Sequence, residues 1–236
     1  MKAWITGLSR ETGLGMALAR QYLADGCTVF GTCRNVDLPH IHALQAQWGE
    51  HFVPVTMDVT DFATVQAAAA LMTRHGKLDI LISNATAADE KGNLPLDDGC
   101  DTEHMLNAYD VNAVGFLRLV QCFLPHLSAH AKIVAISSEA GSMAQCNRDF
   151  NLDYGMAKAA LNFACVTLQR RLAPRGLRVL AIHPGWVQTK PAPPKADLMP
   201  EESAAHLVAT IASPPDYVEQ GNQGIFMWYD GRPFAF

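Results

Sequence analysis

The chain has 236 residues, of which 49% are hydrophobic and only 17% are charged, and its net charge is −5. This length is enough for one large hydrophobic core but short for two, so we expect a single domain over residues 1–236. The acidic balance argues against nucleic acid or an anionic membrane surface as a partner and favours a small molecule.

The first residues and the cysteines argue against two further classes. Residues 3–6 are a short apolar stretch that leads directly into a glycine turn, without the long apolar core of a signal peptide or a membrane span, which predicts a cytoplasmic protein. The six cysteines show no Cys-x-x-Cys spacing, so we expect neither a metal site nor a disulfide framework.

The first predicted strand, residues 3–6, is followed by a glycine-rich turn and a helix that runs to residue 25. The turn contains Gly7, Gly13 and Gly15. Glycines let the backbone turn tightly and approach a ligand closely, and the amides at a helix N-terminus attract phosphate. The stretch therefore predicts a phosphate site, although a plain connection between a strand and a helix would also contain glycine.

The second predicted strand, residues 28–32, ends just before Arg34. In a dinucleotide-binding sheet this position meets the adenosine ribose, where an acidic group suits NAD and an arginine suits the 2′-phosphate of NADP. Arg34 thus favours NADP, and a solvated loop arginine is the alternative. Asp58 and Val59 follow the third predicted strand, residues 51–57, at the edge where ligands bind in such sheets. Helices are predicted for residues 39–49 and 61–75.

The fourth predicted strand, residues 78–82, leads into Ser83-Asn84-Ala85-Thr86 and then a polar loop. A long helix, predicted for residues 102–127, carries Asn112 within an apolar stretch. A buried amide needs hydrogen-bond partners. Asn112 either satisfies a neighbouring carbonyl or holds a water that links a catalytic lysine to solvent, and its position in the sequence does not decide between these roles.

Tyr154 and Lys158 are four residues apart in a helix predicted for residues 154–173, so they share one helix face. A free phenol is a poor acid or base at neutral pH, but a nearby cation lowers its pKa and allows proton exchange with an alcohol or carbonyl oxygen. Ser138 ends the fifth predicted strand, residues 132–137, where its hydroxyl could hold a carbonyl oxygen against the phenol. An ordinary helix surface is the alternative interpretation of the Tyr–Lys pair.

The sixth predicted strand, residues 178–182, precedes a rigid turn that contains Pro184 and Gly185. A helix at 200–212 and a last strand at 224–228 complete the chain.

The alternation of buried strands with helices predicts one α/β domain of the doubly wound, Rossmann type. Its seven-stranded parallel sheet would be flanked by helices and joined by right-handed crossovers. Three loops are candidates for the substrate rim: residues 86–100, 139–153 and 190–200.

In combination, these motifs resemble the short-chain dehydrogenase/reductase family across nearly the whole chain. In chain order they are Thr6-Gly7 with Gly13 and Gly15, Asn84-Ala85, Asn112, Ser138, Tyr154-x-x-x-Lys158, and Pro184-Gly185 with Thr189. The last part of the pattern, which ends in Tyr229-Asp230-Gly231, is most similar to the C-factor and sniffer-type carbonyl reductase branch.

The resemblance implies a catalytic set for reducing a carbonyl or for the reverse alcohol oxidation. Tyr154 would be the general acid, and Lys158 would lower its pKa and bind the nicotinamide ribose. Ser138 would orient the substrate oxygen, and Asn112 would support a proton-relay water. The resemblance also implies a small-molecule carbonyl or alcohol substrate and a homodimer or homotetramer.

The cofactor implied by the resemblance is NADP(H), preferred over NAD(H). The residues implied to contact it are Gly7, Ser9, Arg10, Gly13, Leu14, Gly15, Arg34, Asp58, Val59, Asn84, Ala85, Tyr154, Lys158, Pro184, Gly185, Val187 and Thr189. The turn between Gly7 and Gly13 is longer than the family's usual turn, and Thr86 stands where glycine is usual.

Three functions are compatible with this fold. The complete set of Asn112, Ser138, Tyr154 and Lys158 favours a reductase of ketones or aldehydes, or the reverse alcohol oxidation. The altered glycine turn and Thr86 also suit a dinucleotide-binding regulatory or signalling protein with little turnover. An enoyl reductase would keep the fold and change the reaction.

Overall fold

The computed structural model describes residues 1–87, 101–189 and 196–236. Its centre is a seven-stranded sheet in which every neighbouring pair of strands is parallel. The strands are β1 (Lys2–Thr6), β2 (Thr28–Cys33), β3 (Phe52–Thr56), β4 (Leu78–Ser83), β5 (Leu127–Ile136), β6 (Arg178–His183) and β7 (Phe226–Trp228). The predicted doubly wound parallel sheet is therefore confirmed.

The strand order, β3-β2-β1-β4-β5-β6-β7, reverses direction between β1 and β4. The chain first builds outward from β1 to β3 and then returns to the other side of β1. In open α/β sheets the ligand site is the crevice beyond the carboxyl ends of the strands at such a reversal. The fold therefore predicts a ligand site next to the residues that follow Thr6 and Ser83.

The helices cover both faces of the sheet and form two core layers. They are α1 (Leu14–Ala24), α2 (Pro39–Trp48), α3 (Phe62–Ala70), α4 (Met72–His75), α5 (Thr102–Tyr109), α6 (Gly115–Phe123), α7 (Leu152–Leu172) and α8 (Pro200–Ala212). Helices α1, α2 and α8 pack on one face, while α3, α6 and α7 pack on the other. Among the described helices, none combines the length and the apolar character needed to cross a bilayer.

The long helix predicted for residues 102–127 is interrupted in the structure. A π-helical turn, Asp110–Val114, separates α5 from α6, and the amide of Gly115 donates to the carbonyl of Asp110, five residues back. The helix ends before Leu127, where β5 begins five residues earlier than predicted. The early start comes from pairing with β4, since Leu127 lies opposite Leu78, and this contact is not visible in the local sequence.

Two other predicted elements differ from the structure, a helix that is divided in two and a strand that is shorter. The helix predicted for 61–75 divides at Leu71, whose amide donates to the carbonyl of Ala68, three residues back instead of four. The last strand is shorter than the predicted 224–228 and begins at Phe226, because Gly224 takes a left-handed φ of 75°.

Candidate active site

The carboxyl ends of β1 and β4 are joined by the side chains of Thr6 and Asn84. Thr6 Oγ1 accepts hydrogen bonds from the backbone amides of Asn84 and Ala85, both at 2.9 Å. In return, Asn84 Nδ2 donates to the carbonyl of Thr6 at 2.8 Å. Because Thr6 is fully buried, these bonds fix the two strand ends at the point where the strand order reverses.

Two glycines of the first turn, Gly7 and Gly15, lie where no side chain fits. A Cβ on Gly15 would lie 2.4 Å from the carbonyl oxygen of Gly7 and 2.7 Å from Asn84 Nδ2. Gly7 itself has a φ of 84°, which residues other than glycine rarely adopt. The N-terminus of α1 is thereby held close to the ends of β1 and β4.

The extra length of the turn is accommodated as an exposed bulge. Leu8 is buried, whereas Ser9 and Arg10 are exposed, and the amide of Gly13 donates back to the carbonyl of Arg10 at 3.0 Å. Thr12 Oγ1 donates to the carbonyl of Thr189 at 3.3 Å. The bulge therefore connects the glycine turn to the segment that follows β6.

Helix α1 begins immediately after this bulge, with Gly13 as its cap. The amides of Met16 and Ala17 donate to the carbonyl of Gly13, and no side chain caps the helix. The amides of Leu14 and Gly15 come before these first helical hydrogen bonds, and such first-turn amides attract phosphate. A close glycine approach beside first-turn amides fits the pyrophosphate of a dinucleotide.

The residues predicted near the adenosine lie at the ends of β2 and β3. Arg34 is exposed directly after β2. Asp58 accepts hydrogen bonds from the amide and the hydroxyl of Thr60, at 2.9 and 2.7 Å, so its carboxylate shapes the turn after β3. Val59 is buried and contributes to the core.

Asn112 lies in the π-helical turn with its whole side-chain amide engaged. Its Nδ2 donates to the carbonyls of Ala87 and Ala108, at 2.8 and 2.9 Å, and its Oδ1 accepts from Thr86 Oγ1 at 2.7 Å. The Ala108 carbonyl belongs to the last turn of α5, so the side chain of Asn112 ties the π-helical turn to the helix before it. Thr86 thus joins the loop after β4 to this turn, and the turn packs on α7.

Lys158 is buried on α7, and its ammonium group donates to the carbonyl of Ile136 at 2.8 Å. Its Nζ lies 5.4 Å from the centroid of the Tyr154 ring. The turn at 139–141 packs tightly on α7 at this point, since a Cβ on Gly141 would lie 2.6 Å from the carbonyl carbon of Lys158. The end of β5 and the face of α7 therefore converge, as the sequence predicts.

Burial shifts the pKa of both Tyr154 and Lys158. The pKa of Tyr154 is raised to about 12, mainly by burial; the charge of Glu139 also acts to raise it, while the hydrogen bond with Ser138 and the charge of Arg148 act to lower it. Burial also lowers the pKa of Lys158 to about 7. The role predicted for Lys158, lowering the pKa of Tyr154, stays a prediction.

Glu139, which follows Ser138 directly, is a charged residue of the site that the sequence analysis missed. Ser138 Oγ donates to Glu139 Oε2 at 2.6 Å, and Arg148 Nε donates to Oε1 at 2.7 Å. His183 Nδ1 lies 3.5 Å from Oε2. An acidic residue next to a candidate catalytic serine at a strand end was the available signal, but the sequence does not show that Arg148 folds back onto it or that His183, on another strand, lies beside it.

The segment after β6 is joined to α8. Ser203 Oγ donates to the carbonyl of Pro184 at 2.7 Å. Gly185 has a φ of 81°, and a Cβ there would lie 2.7 Å from Leu198 Cδ1. Val187 pairs with Leu198 in an isolated bridge. Residues 184–189 are thus placed beside both the glycine turn and α8.

Of the three predicted substrate loops, residues 139–153 are fully described. Two hydrogen bonds join the loop to residues 235–236. Ser142 Oγ donates to the carbonyl of Ala235 at 2.7 Å, and the amide of Ala144 donates to the carbonyl of Phe236 at 3.0 Å. Most of the other two loops, residues 88–100 and 190–195, lies outside the described residues.

Within the described ranges, no group of three or more His, Cys, Asp or Glu side chains is placed to hold a metal ion. The polar groups that converge at the sheet edge are instead a phenol, an ammonium, a hydroxyl and a carboxylate. Such a set is suited to proton transfer and hydrogen bonding.

Comparison with known proteins gives matches along nearly the whole chain. A family model described as enoyl-(acyl carrier protein) reductase matches residues 7–220. The short-chain dehydrogenase ptmH of Penicillium ochrochloron is 32% identical over 223 residues, which are 93% of this chain and 78% of that protein. The C-signal protein of Myxococcus xanthus is 32% identical over 158 residues, 66% of this chain and 91% of that protein.

Solved structures match over the full length. An NADPH-bound carbonyl reductase from chicken fatty liver has a TM-score of 0.86 and 28% identity, and the match covers 100% of this chain and 98% of that one. The carbonyl reductase Sniffer of D. melanogaster has a TM-score of 0.87 and 27% identity, with coverage of 100% and 99%.

Proposed function

This chain belongs to the short-chain dehydrogenase/reductase family and is an NAD(P)-dependent oxidoreductase, and we propose that it reduces a ketone or aldehyde, or oxidises the corresponding alcohol. One observation carries the proposal: Ser138 at the end of β5 meets Tyr154 and Lys158 on α7 at the sheet edge. That edge is where ligands of open α/β sheets bind.

The cofactor proposed for this site is NADP(H), in preference to NAD(H). The glycines at 7 and 15 and the first-turn amides of α1 suit its pyrophosphate. The exposed guanidinium of Arg34 suits the 2′-phosphate that distinguishes NADP from NAD. When bound, the nicotinamide supplies the hydride.

Tyr154 is the proposed proton donor to the substrate oxygen. A phenol whose pKa is raised to about 12 stays protonated at neutral pH, which suits a general acid in carbonyl reduction. Lys158 is the proposed cation at the sugar beside the nicotinamide, where its lowered pKa lets it exchange a proton near neutrality. Ser138 is proposed to hold the reacting oxygen, and Asn112 to keep the π-helical turn against α7.

The purified protein is expected to oxidise NADPH when it is supplied with a panel of ketones and aldehydes. NADPH should be used with at least about tenfold higher kcat/KM than NADH, the effect of one good charge-assisted hydrogen bond. The measurement is the loss of absorbance of the reduced nicotinamide, followed by identification of the alcohol product. Tight NADPH binding without turnover on any carbonyl would contradict the proposal.

Two alternatives have specific support. The family model that matches is described as an enoyl reductase, so α,β-unsaturated thioesters belong in the panel, and a saturated product with its carbonyl intact would identify that reaction. The relative named C-signal supports a signalling role with little turnover, which NADPH binding without any product would favour.

We also propose that the α5–α7 face is covered by a second copy of the chain. Large apolar side chains are exposed together there, including Leu106 at 67% and Phe163 at 74%. Leu106 lines a cleft of about 410 Å³ between the two helices, and Phe163 lies further along α7. A patch of this kind on one surface pairs readily with its own copy across a twofold axis.

The native protein is therefore expected to sediment as a dimer or tetramer, and Phe163→Asp as a monomer, because a buried unpaired carboxylate would oppose the contact. Sedimentation velocity measures both species. Phe62→Asp, an exposed phenylalanine at the start of α3, is the matched control and should leave the assembly unchanged. A native protein that sediments as a monomer would contradict the assignment.

A further inference from the structure

The carboxylate of Glu139 is the centre of a cluster that the proposed reaction has not yet used. One oxygen, Oε2, accepts the hydroxyl of Ser138 at 2.6 Å and lies 3.5 Å from His183 Nδ1. The other, Oε1, accepts from Arg148 Nε at 2.7 Å and is also in contact with Arg148 Nη2. Residues from three separate parts of the chain thus meet at one carboxylate.

This carboxylate is held ionised. Burial acts to raise the pKa of Glu139, but the hydrogen bonds from Ser138 and Arg148, together with the Arg148 charge, outweigh it and lower that pKa. His183 packs against the edges or faces of both Trp228 and Phe234, at 4.8 and 5.6 Å between ring centroids, and burial lowers its pKa. The proton in the Ser138–Glu139 bond therefore belongs to the serine.

The hydrogen-bonding capacity of Ser138 is then nearly used up. A serine hydroxyl has one proton to donate and two lone pairs to accept with. Its proton goes to Glu139, and the amide of Ala140 donates to Oγ at 3.2 Å. One lone pair remains, so while Glu139 holds the serine proton, Ser138 can accept from a single further donor, either Tyr154 or a ligand.

We propose that Glu139 is a positioning residue for the reaction: fixed by Arg148, it takes the Ser138 proton and leaves that serine a hydrogen-bond acceptor toward the reacting oxygen. The inference rests on the proposed function, in which Ser138 holds that oxygen. A substrate hydroxyl can donate to the remaining lone pair. A substrate carbonyl can use Ser138 only after the serine has released Glu139, so the cluster favours binding of the alcohol form.

The same cluster sets the electrostatics at the phenol. The charge of Glu139 raises the pKa of Tyr154, whereas the charge of Arg148 lowers it. Among the residues that the structure describes, the other groups facing the phenol are Ser138, which is uncharged, and Lys158, at 5.4 Å from the ring centroid. Removing one member of the ion pair at a time should therefore move the Tyr154 titration in opposite directions.

A double-mutant cycle tests whether Glu139 acts through Ser138. With NADPH and the best carbonyl of the panel, Glu139→Gln is expected to change kcat/KM by about tenfold, the effect of losing one charge-assisted hydrogen bond. In a Ser138→Ala background the same substitution should change it by less than about twofold, because the partner is already gone. Equal effects in both backgrounds would overturn the inference and leave Glu139 a structural residue.

A titration of Tyr154 gives a second readout that needs no turnover. The protein is labelled with ¹³C at the tyrosine ζ carbon, and the Tyr154 signal is assigned by its loss in Tyr154→Phe. At a fixed alkaline pH the ionised fraction should rise in Glu139→Gln and fall in Arg148→Met, and the exposed Glu50→Gln should leave it unchanged.

Shifts in the same direction, or no shift in either variant, would overturn the inference. Because this titration requires no substrate, its outcome is independent of the carbonyl panel. A protein that shows the opposed shifts but turns over no carbonyl contradicts the proposed function alone.

Discussion

Tyr154→Phe is expected to lower kcat for carbonyl reduction by about 100- to 10,000-fold, the usual contribution of a positioned general acid. The substitution removes only the hydroxyl and keeps the ring, which packs 5.4 Å from Lys158 Nζ. Lys158 keeps its bond to the carbonyl of Ile136, so affinity for NADPH should change little. Steady-state kinetics and a fluorescence titration with NADPH measure the two quantities separately.

Tyr22→Phe is the matched control for this substitution. Tyr22 is buried in α1, on the other side of the sheet, and its hydroxyl has no hydrogen-bond partner among the described residues. Its removal should leave kcat unchanged. A Tyr154→Phe enzyme that retained full turnover would show that another group delivers the proton.

Thr6→Val is expected to destabilise the fold by roughly 2–6 kcal/mol, because it leaves two backbone amides without their acceptor at about 1–3 kcal/mol each. The shapes of the two side chains are nearly the same, so packing is preserved. The amides concerned belong to Asn84 and Ala85, and weaker NADPH binding should accompany the loss. Chemical denaturation monitored by circular dichroism gives the free energy of unfolding.

Thr32→Val provides the comparison on the neighbouring strand. Thr32 is as deeply buried as Thr6, but its hydroxyl makes a single long bond, 3.5 Å to the carbonyl of Ile5. We expect its replacement to cost less than about 1 kcal/mol, since so long a contact is a weak hydrogen bond. If the two substitutions lowered the free energy of unfolding equally, the hydrogen bonds from Asn84 and Ala85 to Thr6 would not be what stabilises this edge of the sheet.

The sheet could be predicted because its strands are short apolar runs that end at glycine, proline or polar residues, as a buried parallel sheet requires. The errors arose where tertiary contacts decide. The early start of β5 depends on pairing of Leu127 with Leu78. At the π-helical turn the Asn112 side chain bonds to Ala87 and Thr86 in the loop after β4, a contact that the local sequence does not show.

The candidate site was predictable to a similar degree. The spacing of Tyr154 and Lys158 predicted that they share a face, and the strand ends predicted where Ser138 would lie. The electrostatics were not predictable, because the pKa of Tyr154 follows from burial and from Glu139. The roles of Arg148 and His183 at that carboxylate depend on loop and strand positions that only the folded chain brings together.

The bonds from the 139–153 loop to Ala235 and Phe236 join segments that are far apart in the chain, 93 positions in the case of Ser142 and Ala235. Ser138 and Tyr154 lie at the two ends of this loop, so its conformation bears on both of them. A substitution that disturbs residues 235–236 should therefore change the loop between two candidate catalytic residues without touching either one.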